Sequence, residues 1–189
     1  MANETKYRRF VIKSMRVSGE WNARAFRAET TVGGKRSGAT EQAAILAVKE
    51  ELDLLQSEQR TLRIGGYPTV NEVRAAFDAI SITSEQQAML NAHCQAVDHI
   101  MTATELAHAG GYDSYVSANS QYGGLGRKLA EELEWVPPMN KKGVPTWTFA
   151  LATRADENGS PSPDRMDDEH WRWKLRQEVV EACDADPIH

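Results

Sequence analysis

The residue types best suited to chemistry in this chain are concentrated in one polar segment, 114–128. Hydroxyl, amide and cationic side chains occur there at Ser114, Ser117, Asn119, Ser120, Gln121, Arg127 and Lys128. Hydroxyls and amides pair with base edges or phosphates, and Arg and Lys pair with phosphates. No Asp or Glu occurs between Ser114 and Ala130, so no side chain in this segment repels a polyanion. The segment therefore indicates nucleic-acid binding, although a solvated helix face would show a similar pattern.

A second basic group follows this segment. Lys141 and Lys142 precede Gly143 at a predicted connection between a helix and a strand, where a phosphate contact is easily made. An ordinary basic turn fits the same residues equally well. We therefore add Lys141 and Lys142 to the candidate nucleic-acid-binding residues, with that alternative open.

The sequence shows no set of residues typical of an active site. Serine, histidine and acidic residues are present, but none has the spacing of a nucleophile elbow, a phosphate-binding loop or paired metal carboxylates. His93, His99 and His108 do not fall on one helical face, and Cys94 and Cys183 lack the spacing of zinc ligands. We therefore predict a non-catalytic protein without a metal or cofactor.

Charge is unevenly distributed along the chain. The composition is 41% hydrophobic and 26% charged, as in soluble globular proteins, and the net charge is -5. Residues 1–50 carry ten Lys/Arg against five Asp/Glu, whereas residues 156–189 carry four against ten. No apolar run approaches the roughly 20 residues of a membrane helix, and the polar N-terminus lacks the apolar core of a signal peptide. These features predict a cytoplasmic protein that does not enter a membrane.

The polar segment is predicted to lie on one long helix, 114–134. Apolar residues recur every three or four positions, at Tyr115, Ala118, Tyr122, Leu125, Leu129 and Leu133, and define a buried stripe. Gly123, Gly124 and Gly126 each cost about 1 kcal/mol inside a helix. We predict that another backbone approaches them closely, either that of a ligand or that of a packed segment of the chain itself.

The elements before this helix predict a helix-turn-helix pair. A helix capped by Ser84 comes first, and a capping box of Thr102 and Glu105 then opens a short helix. Gly110-Gly111 ends that short helix before the long one begins. A short helix, a glycine-containing turn and a longer helix form the helix-turn-helix pattern.

The elements after the long helix extend this pattern to a winged helix. Alternating apolar residues predict strands at 146–153 and 171–176, which pair across a polar loop at 156–168. A last helix is predicted at 177–185. Three tryptophans of the strand pair should be largely buried or face one another: Trp147, Trp171 and Trp173.

The N-terminal part predicts a small ββα unit. Residues 6–17 and 21–31 have strand character, and a helix begins near Thr40. The core of such a unit is small, so we expect the unit to pack against the rest of the chain or against a second copy in a homodimer. Basic and aromatic residues interleave in its strands, which suits either nucleic-acid binding or a core with solvated charges.

The chain as a whole therefore predicts an α+β fold in three parts. Residues 1–64 form the ββα unit, residues 65–83 a connecting helix, and residues 84–189 a mainly helical winged-helix module with a C-terminal helix.

The second half resembles a module of bacterial HNH endonucleases and restriction-type proteins. The resemblance spans 101–134, a Trp-containing stretch from Trp147 and another from Trp171, and follows the pattern TA-x-x-LA…GY…N-x-x-YG-x-LG. Matching positions are Leu106, Gly111, Tyr112, Asn119, Tyr122, Gly123, Leu125 and Gly126. No HNH nuclease motif follows. The resemblance therefore implies a DNA-related accessory or targeting part without the cutting part.

The function predicted from these features is binding of double-stranded DNA by a small regulatory, restriction-associated or mobile-element protein. The alternative is an interaction protein of phage or plasmid type, which inhibits or adapts a protein partner through acidic surfaces such as 156–186. A third interpretation is an RNA binder. A salt series separates the first two, because phosphate-driven binding weakens steeply with salt.

Overall fold

The computed structural model describes residues 2–27, 29–155 and 172–184. The chain is of the α+β class and divides into two compact units, 1–66 and 67–189. Within the described residues, no helix is both long and apolar enough to cross a bilayer.

The first unit is an antiparallel sheet of four strands covered by one helix. The strands follow one another in space as in sequence: β1 (Asn3–Tyr7), β2 (Phe10–Val17), β3 (Glu20–Arg27) and β4 (Thr30–Gly38). Helix α1 (Glu41–Thr61) begins at Thr40, whose side chain accepts a hydrogen bond from the Ala43 amide. The start of this helix near Thr40 is therefore confirmed.

The predicted ββα arrangement is wrong, because each predicted strand contains a reversal. The first reverses at Arg8-Arg9, where Arg8 adopts a φ of 54°, and the second reverses between Arg27 and Thr30. Left-handed residues are usually Gly, Asn or Asp, so an Arg-Arg pair gave no turn signal. Gly33, just beyond the second predicted strand, lies within β4 with a φ of +67°.

One face of this sheet packs against α1. Small and aliphatic side chains fill the space between them: Phe10, Ile12, Ala23, Ala25, Ala44, Val48 and Leu52. Alanines on β3 let the helix approach closely. Among the described residues of the first unit, no element covers the other face of the sheet.

The described residues of the second unit form five α-helices. They are α2 (Val70–Phe77), α3 (Ser84–Gln95), α4 (Ala103–Ala109), α5 (Tyr115–Glu132) and α6 (Gln177–Asp184). Capping boxes open three of them, at Thr69, Thr83 and Thr102. Thr83, rather than the predicted Ser84, therefore caps α3. Helix α2 lies in the segment predicted as a connection, but its Val73, Ala76 and Phe77 belong to the core of this unit.

A three-stranded antiparallel sheet completes the second unit. Strands β5 (Ile100–Thr102), β6 (Ala152–Ala155) and β7 (Arg172–Leu175) lie in the order β5-β7-β6. The predicted pairing of the two C-terminal strands is confirmed, with Thr153 opposite Lys174. Strand β5 was not predicted, because three residues are too few to show a period of two. The predicted loop and Trp171 lie outside the described residues.

The predicted strand 146–153 is wrong over its first half. Trp147–Ala150 forms a 3₁₀ helix instead, and the strand begins only at Ala152. The 3₁₀ helix packs directly on α5. Of the tryptophans predicted to be buried, Trp173 is 4% exposed and Trp147 is half-buried.

Candidate nucleic-acid interface

Helix α5 is fixed to the core by its apolar stripe. Five of the six predicted residues are buried: Ala118, Tyr122, Leu125, Leu129 and Leu133. The sixth, Tyr115, is 55% exposed, because it lies at the first residue of the helix, before the stripe reaches the core. The first two turns of α5 therefore project polar side chains from a rigid base.

Three predicted contact residues lie on these turns with their side chains open to solvent. The side chains of Ser117, Asn119 and Ser120 are exposed and make no hydrogen bond with any residue that the structure describes. Ser114 precedes them and accepts a hydrogen bond from the Val116 amide at 3.2 Å, so it caps the helix. Three hydroxyl and amide groups are thus available to an incoming ligand.

Two further predicted residues make contacts with α3 and the residues before it, Lys128 through its ammonium and Gln121 through its backbone carbonyl. Lys128 donates hydrogen bonds to the Ser81 carbonyl at 2.8 Å and to Oε1 of Gln86 at 3.2 Å. The buried Gln86 side chain also donates to the Gln121 carbonyl at 3.1 Å. The Lys128 ammonium therefore holds α5 against α3, and we leave Lys128 out of the contact surface. The half-buried Gln121 lies at the edge of that surface.

Arg127 lies farther along α5 and is exposed. Its Nε donates to Oε1 of Glu131 at 2.7 Å, and its guanidinium lies 5.6 Å from the centre of the Trp147 ring. An exposed ion pair of this kind contributes less than about 1 kcal/mol, so a phosphate could displace Glu131 at little cost.

Lys141 and Lys142 lie on an exposed turn after α5. Asn140 holds the turn, since its Oδ1 accepts hydrogen bonds from the Lys142 amide at 2.9 Å and the Val144 amide at 3.1 Å. Gly143 completes it with a φ of +73°. The turn follows the C-terminal end of α5, so the structure does not bring these lysines together with the polar first turns of the helix.

The glycines of α5 have different surroundings. A Cβ at Gly126 would lie 2.3 Å from the Trp147 carbonyl oxygen, so here the chain's own 3₁₀ helix is the closely approaching backbone. A Cβ at Gly124 would meet only the Gln86 amide nitrogen at 3.6 Å, an ordinary contact. Internal packing therefore explains Gly126, and Gly124 has room for a methyl group.

Most residues of the pattern that suggested a known module have structural roles. Leu106, Tyr122 and Leu125 are buried in the core, and Gly111 ends the turn after α4 with a φ of +76°. Asn119 differs, because its polar side chain is exposed. The pattern thus describes the packing of α4 and α5 and one surface amide.

A buried histidine connects the elements that position α5. The Nε2 of His93 donates to the Trp173 carbonyl at 2.9 Å, because a carbonyl oxygen only accepts, and its Nδ1 accepts from the Tyr122 hydroxyl at 2.8 Å. Burial lowers the pKa of His93 to about 4. The neutral ring therefore joins α3, α5 and β7. This link was not predictable from the sequence, since the partners of His93 lie far away along the chain.

Within the described residues, no group of three or more His, Cys, Asp or Glu side chains converges as metal ligands would. Comparisons with protein-family models, with curated proteins and with solved structures found no match.

Proposed function

We propose that this protein is a non-catalytic binder of double-stranded DNA, with a winged helix as its second unit. The order α3, β5, α4, α5, β6, β7 and the strand order β5-β7-β6 support the winged-helix assignment. In that arrangement α4 and α5 form the helix-turn-helix pair, and α5 is the recognition helix.

The exposed, acid-free beginning of α5 carries this proposal. A major groove about 12 Å wide admits an α-helix, and the N-terminal residues of a recognition helix contact the bases. Ser117, Asn119 and Ser120 have no competing partner within the described residues. The positive end of the helix dipole favours an anion at the same end. The surface thus matches a phosphate-lined groove in shape, polarity and charge.

The contact residues divide into two groups by their chemistry. Asn119 and Gln121 carry amides, which pair with adenine through two hydrogen bonds, and Ser114, Ser117 and Ser120 contact bases or phosphates. Arg127, Lys141 and Lys142 contact phosphates and contribute affinity without sequence preference. The resemblance to restriction-associated modules suggests a role in restriction, mobile-element biology or transcription.

A protein partner is the second candidate, and one observation favours it. Tyr115 and Val116, adjacent on the first turn of α5, are 55% and 60% exposed. Large apolar side chains at neighbouring exposed positions are typical of a protein contact. The acidic C-terminal segment would suit a basic partner. In the DNA-binding proposal, the same two side chains contact thymine methyl groups.

A mobility-shift experiment with mixed genomic fragments, with and without modified cytosine, tests the proposal. DNA binding predicts a mobility shift at low salt. It also predicts that log affinity falls linearly with log salt concentration. Absence of any shift at low salt, together with salt-insensitive capture of a protein, would establish the partner interpretation instead.

A further inference from the structure

The open face of the first unit's sheet carries an ordered group of cations. Strand alternation places Phe10, Ile12 and Ser14 of β2 toward α1, so Lys13 of β2 projects from the opposite face. The strand register puts Arg24 of β3 directly beside Lys13.

The same register places Lys6 of β1 beside Val11, and Val11 beside Phe26 of β3. Lys6, like Lys13 and Arg24, is exposed to solvent. One side of the sheet therefore presents three cations from three consecutive strands around the apolar pair of Val11 and Phe26.

Charge in this unit is segregated between the sheet and the helix. The strand segment 3–38 carries nine basic residues, Lys6, Arg8, Arg9, Lys13, Arg16, Arg24, Arg27, Lys35 and Arg36, against three acidic ones, Glu4, Glu20 and Glu29. Helix α1 reverses the balance, with Lys49 and Arg60 against Glu41, Glu50, Glu51, Asp53 and Glu58.

Two acids of α1 neutralise cations of the strand segment. Arg8 pairs with Asp53 at 2.8 Å, and Arg36 pairs with Glu51 at 2.7 Å. On the open face, Lys6 and Arg24 make no ion pair or hydrogen bond with any described residue. Lys6 and Arg24 therefore leave positive charge on the uncovered side of the sheet that no described acid compensates.

The pairing of Lys13 with Arg24 opposes folding. Like charges directly opposite each other on neighbouring strands are destabilising. Glu4 compensates in part, because its Oε1 lies 3.2 Å from the Lys13 ammonium, but Arg24 has no such neighbour among the described residues. A bound polyanion would remove this repulsion.

We propose that this open face is a second binding surface, separate from α5, for the phosphates of double-stranded DNA. Strands lie about 4.8 Å apart, so cations on neighbouring strands can reach several phosphates of a duplex at once. Single-stranded nucleic acid requires several stacking aromatics. Phe26 is the one aromatic side chain on the described open face, and the Lys13 ammonium already lies 5.3 Å from its ring centre. The observations therefore favour a duplex over a single strand.

The test compares paired charge removals in the full-length protein. The variant Lys13→Gln/Arg24→Gln removes two cations from the open face. The matched control, Lys49→Gln/Arg60→Gln, removes two cations from α1, on the other side of the unit. Affinity for a labelled mixed-sequence duplex is measured by fluorescence anisotropy over a salt series, with duplex RNA and single-stranded DNA as competitors.

We expect the open-face variant to bind duplex DNA about tenfold more weakly, with a salt slope lower by about two, and the control to bind like wild type. The melting temperature of the open-face variant should not fall, so its weaker binding would not reflect unfolding. Equal affinity and slope for wild type and the open-face variant would overturn the proposal, as would stronger competition by duplex RNA or single-stranded DNA than by duplex DNA.

This experiment separates the two surfaces, because the second proposal does not rest on α5. An open-face variant that binds like wild type, while Asn119→Ala/Gln121→Ala weakens binding, would overturn only the sheet proposal. The reverse result would overturn only the role of α5. A wild-type protein that does not bind duplex DNA at low salt would overturn both.

Discussion

His93 is the residue whose protonation most directly links solution conditions to this fold. Its pKa is lowered by burial to about 4, whereas an exposed histidine has a pKa near 6.5. Between these values the unfolded chain binds a proton that the folded chain excludes. The stabilising contribution is therefore complete above pH 6.5 and is lost as pH falls toward 4.

We expect acidification from pH 7 to pH 4.5 to lower the free energy of unfolding by about 2–3 kcal/mol through this one group. Urea unfolding at a series of pH values measures the loss. His93→Gln should be less stable at pH 7 and should lack this part of the pH dependence. His108→Gln, at an exposed site, serves as the control. An unchanged pH dependence in His93→Gln would contradict the assignment.

Two glycines on one helix should respond in opposite ways to the same substitution. Gly126→Ala would place a methyl group 2.3 Å from the Trp147 carbonyl oxygen, and we expect a loss of about 1–3 kcal/mol. The methyl group of Gly124→Ala would make only an ordinary contact. The better helix propensity of alanine should therefore stabilise the folded protein by up to about 1 kcal/mol. Thermal unfolding of both variants measures the difference, and similar melting temperatures would show that the close approach at Gly126 is wrong.

At the scale of elements, the contact between α5 and α3 depends on Lys128. Removing its ammonium leaves the Ser81 carbonyl and the buried Gln86 side chain without that donor. We expect Lys128→Ala to lower the free energy of unfolding by about 1–2 kcal/mol, and Lys142→Ala, on the exposed turn, to leave it unchanged. For DNA affinity the order of the two variants should reverse, because Lys142→Ala should weaken binding more than Lys128→Ala does. If Lys128→Ala is as stable as wild type but binds more weakly, Lys128 contacts DNA after all.

The long helix was predictable because its buried stripe repeats over about four turns, from Ala118 to Leu133, and no competing period interrupts it. The capping boxes at Thr69 and Thr102 were predictable because both partners lie within four residues. The turn at Arg8-Arg9 was not, since tertiary packing holds an arginine in a conformation that its sequence does not favour. The 3₁₀ helix at Trp147 was also unpredictable, because its packing partner, Gly126, is distant in sequence.

In the candidate site too, features that depend on residues of one element were predictable, and those that depend on distant partners were not. The exposed group of Ser117, Asn119 and Ser120 could be predicted, because one helix contains all three residues and its buried stripe defines the opposite face. The internal role of Lys128 and the link through His93 could not, because their partners come from other elements. The residues that share the open sheet face could not be predicted, because they depend on the strand register. The sheet has four strands where two were predicted, so the predicted strands could not give the register.

At the scale of the whole molecule, the distribution of charge among segments is more informative than the net charge. The net charge is -5, yet the strands of the first unit and the first turns of α5 present cations and neutral polar groups. The acidic residues are concentrated in α1 and in the C-terminal segment. Such segregation gives an acidic protein local surfaces whose potential differs from that of its net charge.

The central claim, that the first turns of α5 contact duplex DNA, is tested most directly by selection from a randomised duplex pool. Wild type is compared with Asn119→Ala/Gln121→Ala and with a control, Gln42→Ala/Gln59→Ala, which removes two exposed amides from α1. We predict that wild type and the control enrich the same sequence, and that the α5 variant loses about 1–3 kcal/mol of discrimination per contacted base while keeping its salt slope. Enrichment of the same sequence by the α5 variant, or of none by wild type, would contradict the claim.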